Sequence, residues 1–345
     1  MALKLYVSEA SPYSIKIWAL LNYVGLAPQV VHQNIINRFA TIKRRSGATM
    51  VPMLLESGRP INDSTRIIEH IQSRAERPLI PDFEGAGFLA WLLEDFADEW
   101  MVRWFVTDRW APDVAEVCGK RVGRELFFGI PVASEALGVQ VGRVLSKTLA
   151  KKGVLSDQEA LKASRSRLLS TLETLFEDQP YIFGNTPSVA DFSFYGVLWQ
   201  HRSDPLGAKA LEGYPRVNEF IDRVDAWRWH KGVWLEPKLR DLSELEDLFA
   251  EVFGTYMLML VENLKSRSSS SRSAKATLLD GSPFEFQASG YFIARLKEHL
   301  ARGIQPRQDL LPDAAAKIEE GWFGVLRQLS DFEAGRQVLK EFGFE

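Results

Sequence analysis

The stretch SEASPYSIKIWALLNYVGL, residues 8–26, decides how the chain begins to fold. It follows a short apolar run, LKLYV at residues 3–7, which suits one strand. Pro12 fits the first turn of a helix, where a missing N–H does no harm, and Gly25 stands just past the end. The spacing predicts a helix from Ser11 to Tyr23. Ser11 then has two readings. It caps the helix by accepting from the backbone, or it is placed there for chemistry.

Working outward, Val30 to Ile35 suits a second strand, and the polar residues 37–47 suit helix or loop. VPMLLESGRPIND holds two short runs, 51–55 and 59–61, joined by Glu56-Ser57-Gly58, a hairpin signal. A helix from Ser64 to Ser73 follows, with Asp63 or Ser64 able to cap it. The order β-α-β-α-β-β-α is that of a compact α/β unit.

After Pro78 and Pro81 the pattern turns helical: 86–110, 114–128, 132–150, 157–177, 188–201 and 215–228. Beyond about residue 236, an amphipathic helix is expected at 241–265. The polar SRSSSSRSAK at 266–275 reads as a flexible loop. In ATLLDGSPFEFQ a tight turn at Asp280-Gly281 between two short strands comes next, then helices at 288–302 and 313–329.

Of the 345 residues, 46% are hydrophobic and 25% charged, so a sizeable core can be buried. The net charge of −3 asks for no nucleic acid, which needs clustered Lys and Arg. Cys118 is the one cysteine, so no internal disulfide and no cysteine-built zinc site is possible. The histidines at 32, 70, 201, 230 and 299 have no metal-ligand spacing. No metal is expected. No apolar run reaches the roughly 20 residues of a membrane span, and no signal peptide is visible, so a cytoplasmic location is expected.

Three stretches, taken in order, resemble one family. SPYSIKIWALLNYVGL, VPMLLESGRPINDSTRIIEHI and YIFGNTPSVADFSFYGVLW are similar to the cytosolic glutathione transferases of the serine type. The resemblance covers roughly residues 1–235. It implies a thioredoxin-like glutathione-binding domain at 1–78 and an all-α substrate domain at 85–235. Residues 236–345 would then be a mostly helical C-terminal extension outside the family pattern. It also implies glutathione as co-substrate, a small electrophilic partner, a detoxifying activity and a homodimer.

Residue by residue, the resemblance makes the Val51-Pro52 bond cis, with Val51 holding the cysteinyl part of glutathione. By itself the pair reads as a trans proline at a strand start. Asp63 and Ser64 would hold the γ-glutamyl end at a helix N-terminus, where unpaired N–H groups suit a carboxylate. Alone they read as caps. Ser11, before Pro12-Tyr13, would donate to the glutathione sulfur and favour the thiolate. Ser8 and Ser14 are fallback donors, and Tyr6 suits a wall or core. Ser188 and Asp191 form a structural capping box.

Tyr13, Trp100, Trp104 and Trp110 would wall the second substrate's pocket. Glu94, Asp95, Asp98 and Glu99 read best as a solvated acidic face, or as partners of Arg103 and Arg109. Met50 departs from the lysine or glutamine many members carry before Val-Pro. Lys43, Arg44 or Arg45 could meet the glycyl carboxylate. No cysteine stands near residue 11, so a protein-thiol mechanism is not expected, and Cys118 reads as a buried small hydrophobe. Met50 and the extension keep a second class open, a non-catalytic binding or assembly protein on the same fold.

Overall fold

The computed structural model describes residues 3–128, 131–151, 158–303 and 316–344. β1 (Leu3–Val7) pairs in parallel with β2 (Gln29–His32). It is connected through α1 (Pro12–Tyr23). After β2, Asn34 caps the short α2 (Ile35–Asn37), which ends the second strand earlier than its sequence suggests. A π turn (Arg38–Lys43) and α3 (Arg44–Ser46) complete the polar stretch. β3 (Met53–Glu56) runs antiparallel to β1 and β4 (Arg59–Asn62) antiparallel to β3, giving the order β2-β1-β3-β4. α4 (Ser64–Gln72) closes the α/β unit.

α1 is buried almost all round: Ile15, Ile17, Ala19, Leu20, Leu21 and Tyr23 are wholly inaccessible. A helix apolar on every face needs partners on every face. α1 has the sheet and α4 on one side and helices of the second unit on the other. Tyr6 falls in a small separate cluster with Ile42, Met53 and Leu55.

The second unit opens with α5 (Ala86–Phe96), a π turn (Ala97–Met101) and α6 (Val102–Arg109). The sequence suggests one uninterrupted helix here, and periodicity alone cannot reveal the extra residue of a π turn. α7 (Ala115–Leu126) and α8 (Pro131–Lys151) form an antiparallel hairpin packed through glycines. A Cβ on Gly138 would meet the Gly119 carbonyl oxygen at 2.3 Å, and one on Gly142 the Ala115 oxygen at 2.1 Å. The unit continues with α9 (Gln158–Leu175), α10 (Val189–Arg202), α11 (Pro205–Leu211) and α12 (Pro215–Arg228). Asp191 accepts from Ser188 N and Ile182 N, both at 2.8 Å, so the capping box at the head of α10 is structural.

The C-terminal segment holds α13 (Glu246–Val252), a π turn (Phe253–Met257) and α14 (Leu258–Ser268). The hairpin of β5 (Ser273–Thr277) and β6 (Pro283–Gln287) follows, then α15 (Gly290–Arg302), α16 (Ala316–Ser330) and α17 (Glu333–Glu341). Its Leu248, Phe249, Tyr256, Leu296 and Trp322 belong to the same apolar core as α5 and α9. The serine-rich stretch is a correction: helix and strand take up most of it, leaving 269–272 between them. Ala274 and Ala276 alternate inward opposite Phe286 and Phe284. Alanines carry too little side chain for that alternation to stand out against flanking serines. Among the described residues no helix is long and apolar enough to cross a membrane.

Candidate functional site

A cleft of about 300 Å³ lies where the head of α4, the start of β3, α5 and α15 meet. It gathers Tyr13, Val51, Pro52, Asp63 and Ser64, together with Met50, Asp95, Asp98, Glu99, Tyr291 and Arg295. The Val51-Pro52 bond is cis. Asp63 sits at φ +80°, ψ +128°, an uncommon conformation for a residue with a side chain. Its carboxylate accepts from Thr65 N at 3.0 Å and Arg66 N at 3.3 Å, which caps α4. Such backbone outliers cluster at ligand clamps.

Of the acidic residues on α5 and its π turn, Glu94, Asp95 and Asp98 are buried and Glu99 is half-buried, so they do not form a solvated face. Their i, i+4 spacing sorts them into two pairs. Glu94 and Asp98 turn toward α1, where the fully buried Lys16 donates to both, at 2.6 and 2.8 Å. Burial opposes the charge on Lys16, but the two carboxylates outweigh it and raise its pKa. One cation cannot balance two buried acids. Burial foremost, with Glu94 alongside, pushes the Asp98 carboxyl up although Lys16 pulls it down. The same acids tie down the head of α4. Ser64 Oγ donates to Asp98 at 3.2 Å, and Thr65 Oγ1 to Glu94 at 3.0 Å.

Asp95 and Glu99 turn toward the C-terminal segment. Asp95 meets Tyr256, Arg295 and His299. Burial works against its charge, but the His299 and Arg295 contacts prevail and hold its carboxyl below the usual range. Glu99 accepts from Tyr291 and is pushed up to about 8, by burial first and by Asp95 next. Asp95, Asp98, Tyr291 and Arg295 were missed as site residues. Sequence reasoning had the acids but offered Arg103 and Arg109 as their partners; Arg109 pairs with Asp204 instead, and the partners Lys16 and Arg295 lie about 80 and 200 positions away.

Tyr13 lies in the cleft, its hydroxyl donated to the Asp98 carbonyl at 3.0 Å. Burial and the surrounding acids raise its pKa well above 10, so it stays a phenol. Trp100, Trp104 and Trp110 are corrected: none lines the cleft, and all three are buried in the core. Trp100 donates its indole N–H to Ser164 at 2.9 Å. Cys118 is buried, and its thiol is pushed up to about 12 by that burial.

Ser11 is half-buried at the head of α1, two positions before Tyr13 and outside the cleft's lining. Its Oγ accepts from Ser14 N at 3.4 Å. That contact uses an oxygen lone pair and leaves the hydroxyl proton to be donated. Ser8 donates to Glu125 at 2.8 Å, and Ser14 is wholly buried with Oγ accepting from Ser8 N. Ser8 has thus spent its proton on Glu125, and Ser14, whose proton is not used in that contact, is shut away from any ligand by its burial.

The glutathione S-transferase N-terminal domain model matches residues 5–79, and the C-terminal domain model matches 158–223. Glutathione S-transferase U7 of Arabidopsis thaliana is 29% identical over 98 residues, 28% of this chain and 43% of that protein. The match thus spans less than half of the relative's length. Among solved structures, a glutathione S-transferase of Methylobacterium radiotolerans bound to glutathione sulfonate is 17% identical. The alignment covers 70% of this chain and 99% of that one, with a TM-score of 0.42. A β-etherase of a Sphingobium strain is 18% identical over 66% of this chain and 96% of its own, with a TM-score of 0.48. The α7–α8 hairpin and everything after 223 lie outside both matched domains.

Proposed function

We propose, for a chain that belongs to the glutathione transferase family, that the cleft binds glutathione and that Ser11 activates its thiol for attack on an electrophilic small molecule. The observation that carries this reading is one cavity that holds Val51, Pro52, Asp63 and Ser64 together. Asp63 would take the ligand's ammonium. The head of α4 and Ser64 would take its carboxylate, and the backbone of Val51 its cysteinyl unit. A thiol of pKa about 8.5 needs a donor to become a thiolate at neutral pH, and Ser11 has a proton to give. Residues 1–78, 85–235 and 236–345 act here as glutathione domain, helical substrate domain and extension. The extension adds Tyr291 and Arg295 to the cleft wall. The same reading carries a homodimer and a cytoplasmic, detoxifying role, with conjugation, dehalogenation and ether cleavage all open to this nucleophile.

One observation favours a second reading, a binding or assembly protein without catalysis. Ser64 already donates to Asp98, and Asp63, Asp95, Asp98 and Glu99 crowd the wall that would meet a carboxylate. Calorimetry with glutathione decides between the two. Micromolar to low-millimolar binding that Ser64→Ala weakens supports the transferase. No heat at millimolar glutathione leaves the non-catalytic reading.

A further inference from the structure

A second cavity of about 470 Å³ shares no lining residue with the cleft. It lies between the chain just ahead of α1, the end of β2, α7 and α10. Its volume is within the range of small-molecule sites. One wall is α7, which lies outside both matched family domains.

Three features of the lining are left incomplete by the fold. Gln33 is 8% exposed, and its Oε1 has no partner. A buried acceptor without a donor is uncommon and marks a place where one is missing. Arg121 turns one terminal nitrogen, Nη2, to both Gln200 at 2.9 Å and Asp204 at 3.3 Å, while its buried Nε–H goes unused. Phe128 is 76% exposed at the cavity. Trp199 also lines it, with the Arg228 guanidinium 4.8 Å from its ring.

The charges in the lining are unequally spent. Glu125 accepts from Ser8 Oγ at 2.8 Å, Glu9 N at 2.9 Å and Ala10 N at 3.2 Å, so both its oxygens are engaged within the protein. Glu9 lies half-exposed beside His32. Arg124 pairs with Glu135 only at the surface, where exchange with a ligand is easy. The unspent capacity is therefore one buried cationic donor, one buried acceptor and two aromatic faces.

We propose that this cavity binds a flat aromatic acid bearing a hydrogen-bond donor on its ring. The carboxylate meets Arg121 Nε and Arg124, the ring packs on Phe128 and Trp199, and the ring donor reaches Gln33 Oε1. None of these residues belongs to the glutathione cleft, so the site stands whether or not that cleft takes glutathione. The loop that Glu125 holds, Ser8 to Ala10, runs directly into Ser11, so occupancy here bears on the head of α1.

The test is calorimetry on the full chain with 4-hydroxycinnamate as probe. Cinnamate lacks the donor, and methyl 4-hydroxycinnamate lacks the acid. Saturable binding below about 100 μM is expected, with each analogue about tenfold weaker. Phe128→Ala, at an exposed position that cannot threaten the fold, and Gln33→Leu should each weaken the probe about tenfold, with circular dichroism unchanged for the former. Absence of saturation at millimolar probe overturns the proposal. So does equal binding by Phe128→Ala, or displacement of the probe by glutathione, which would put the acid in the cleft instead.

Discussion

Asp95 Oδ2 stands 2.6 Å from His299 Nε2, joining the helix that carries the site to the C-terminal segment 204 positions later. The same carboxylate reaches Tyr256 and Arg295, so one acid holds three groups of that segment. Both residues of the pair are buried. Cutting one partner out of a buried ionic cluster leaves the others uncompensated. Asp95→Ala should therefore cost about 3–5 kcal/mol in urea unfolding. A loss under about 1 kcal/mol would mean that the segment holds by apolar packing alone.

The depressed pKa of Asp95 also fixes a direction with pH. The unfolded carboxyl takes up its proton near its ordinary value, while the folded one holds out to lower pH. Its contribution is present above the ordinary value and is lost as pH falls through the folded one. Asp95→Asn should flatten the acid limb of a stability-versus-pH curve. An unchanged acid limb would assign that limb to other carboxylates.

Glu99 works in the opposite sense. Its folded pKa of about 8 lies above the unfolded value near 4.5, so the folded chain keeps a proton that the unfolded chain has shed. Stability from this group is full below the unfolded value and declines as pH rises toward about 8. Glu99→Gln should remove that decline, and thermal melts of both proteins between the two limits would show it. Parallel melting curves across the range would mean that Glu99 is ionised throughout.

Lys16 is the counter-ion for two acids at once, and its removal should be worse than the removal of either. Lys16→Met should cost about 3–5 kcal/mol, since Glu94 and Asp98 would face each other buried. Adding Glu94→Gln and Asp98→Asn to that variant should recover a good part of the loss, because a neutral buried cluster need not be paired. Denaturation of the single and triple variants reads this directly. Equal stability of the two would show that packing of the lysine stem, not its charge, is what matters.

How much of this could be read from residues alone differs by place. The strand, the capped helix and the hairpin at the N-terminus were legible, because Pro12, Gly25 and Gly58 punctuate them locally. The 86–110 helix was legible as a helix but not in its π turn, which no periodicity announces. Its tryptophans were misplaced to a pocket because aromatic content does not say which face of a helix meets a core and which a cleft. The acids at 94, 95, 98 and 99 were visible but read as solvated. Lys16, alone in an apolar helix, was the overlooked sign that they were not. Tyr291 and Arg295 reach the cleft only through the path of the whole C-terminal segment.

Ser11 brings the capping and the chemical readings to a single experiment. As a cap, its loss should cost about 1 kcal/mol of stability, whatever the ligand. As a thiol donor, its loss should leave glutathione affinity within about twofold and lower turnover by about two to three orders of magnitude. That is the range for removing a donor aimed at a developing anion. The pKa of the bound thiol, read from thiolate absorbance, should rise in Ser11→Ala and return toward the parent in Ser11→Thr, which keeps both the hydroxyl and the cap. A bound thiol that titrates alike in all three proteins would leave Ser11 as the cap of α1 and nothing more. The donor would then have to be sought among the backbone N–H groups at the head of the same helix.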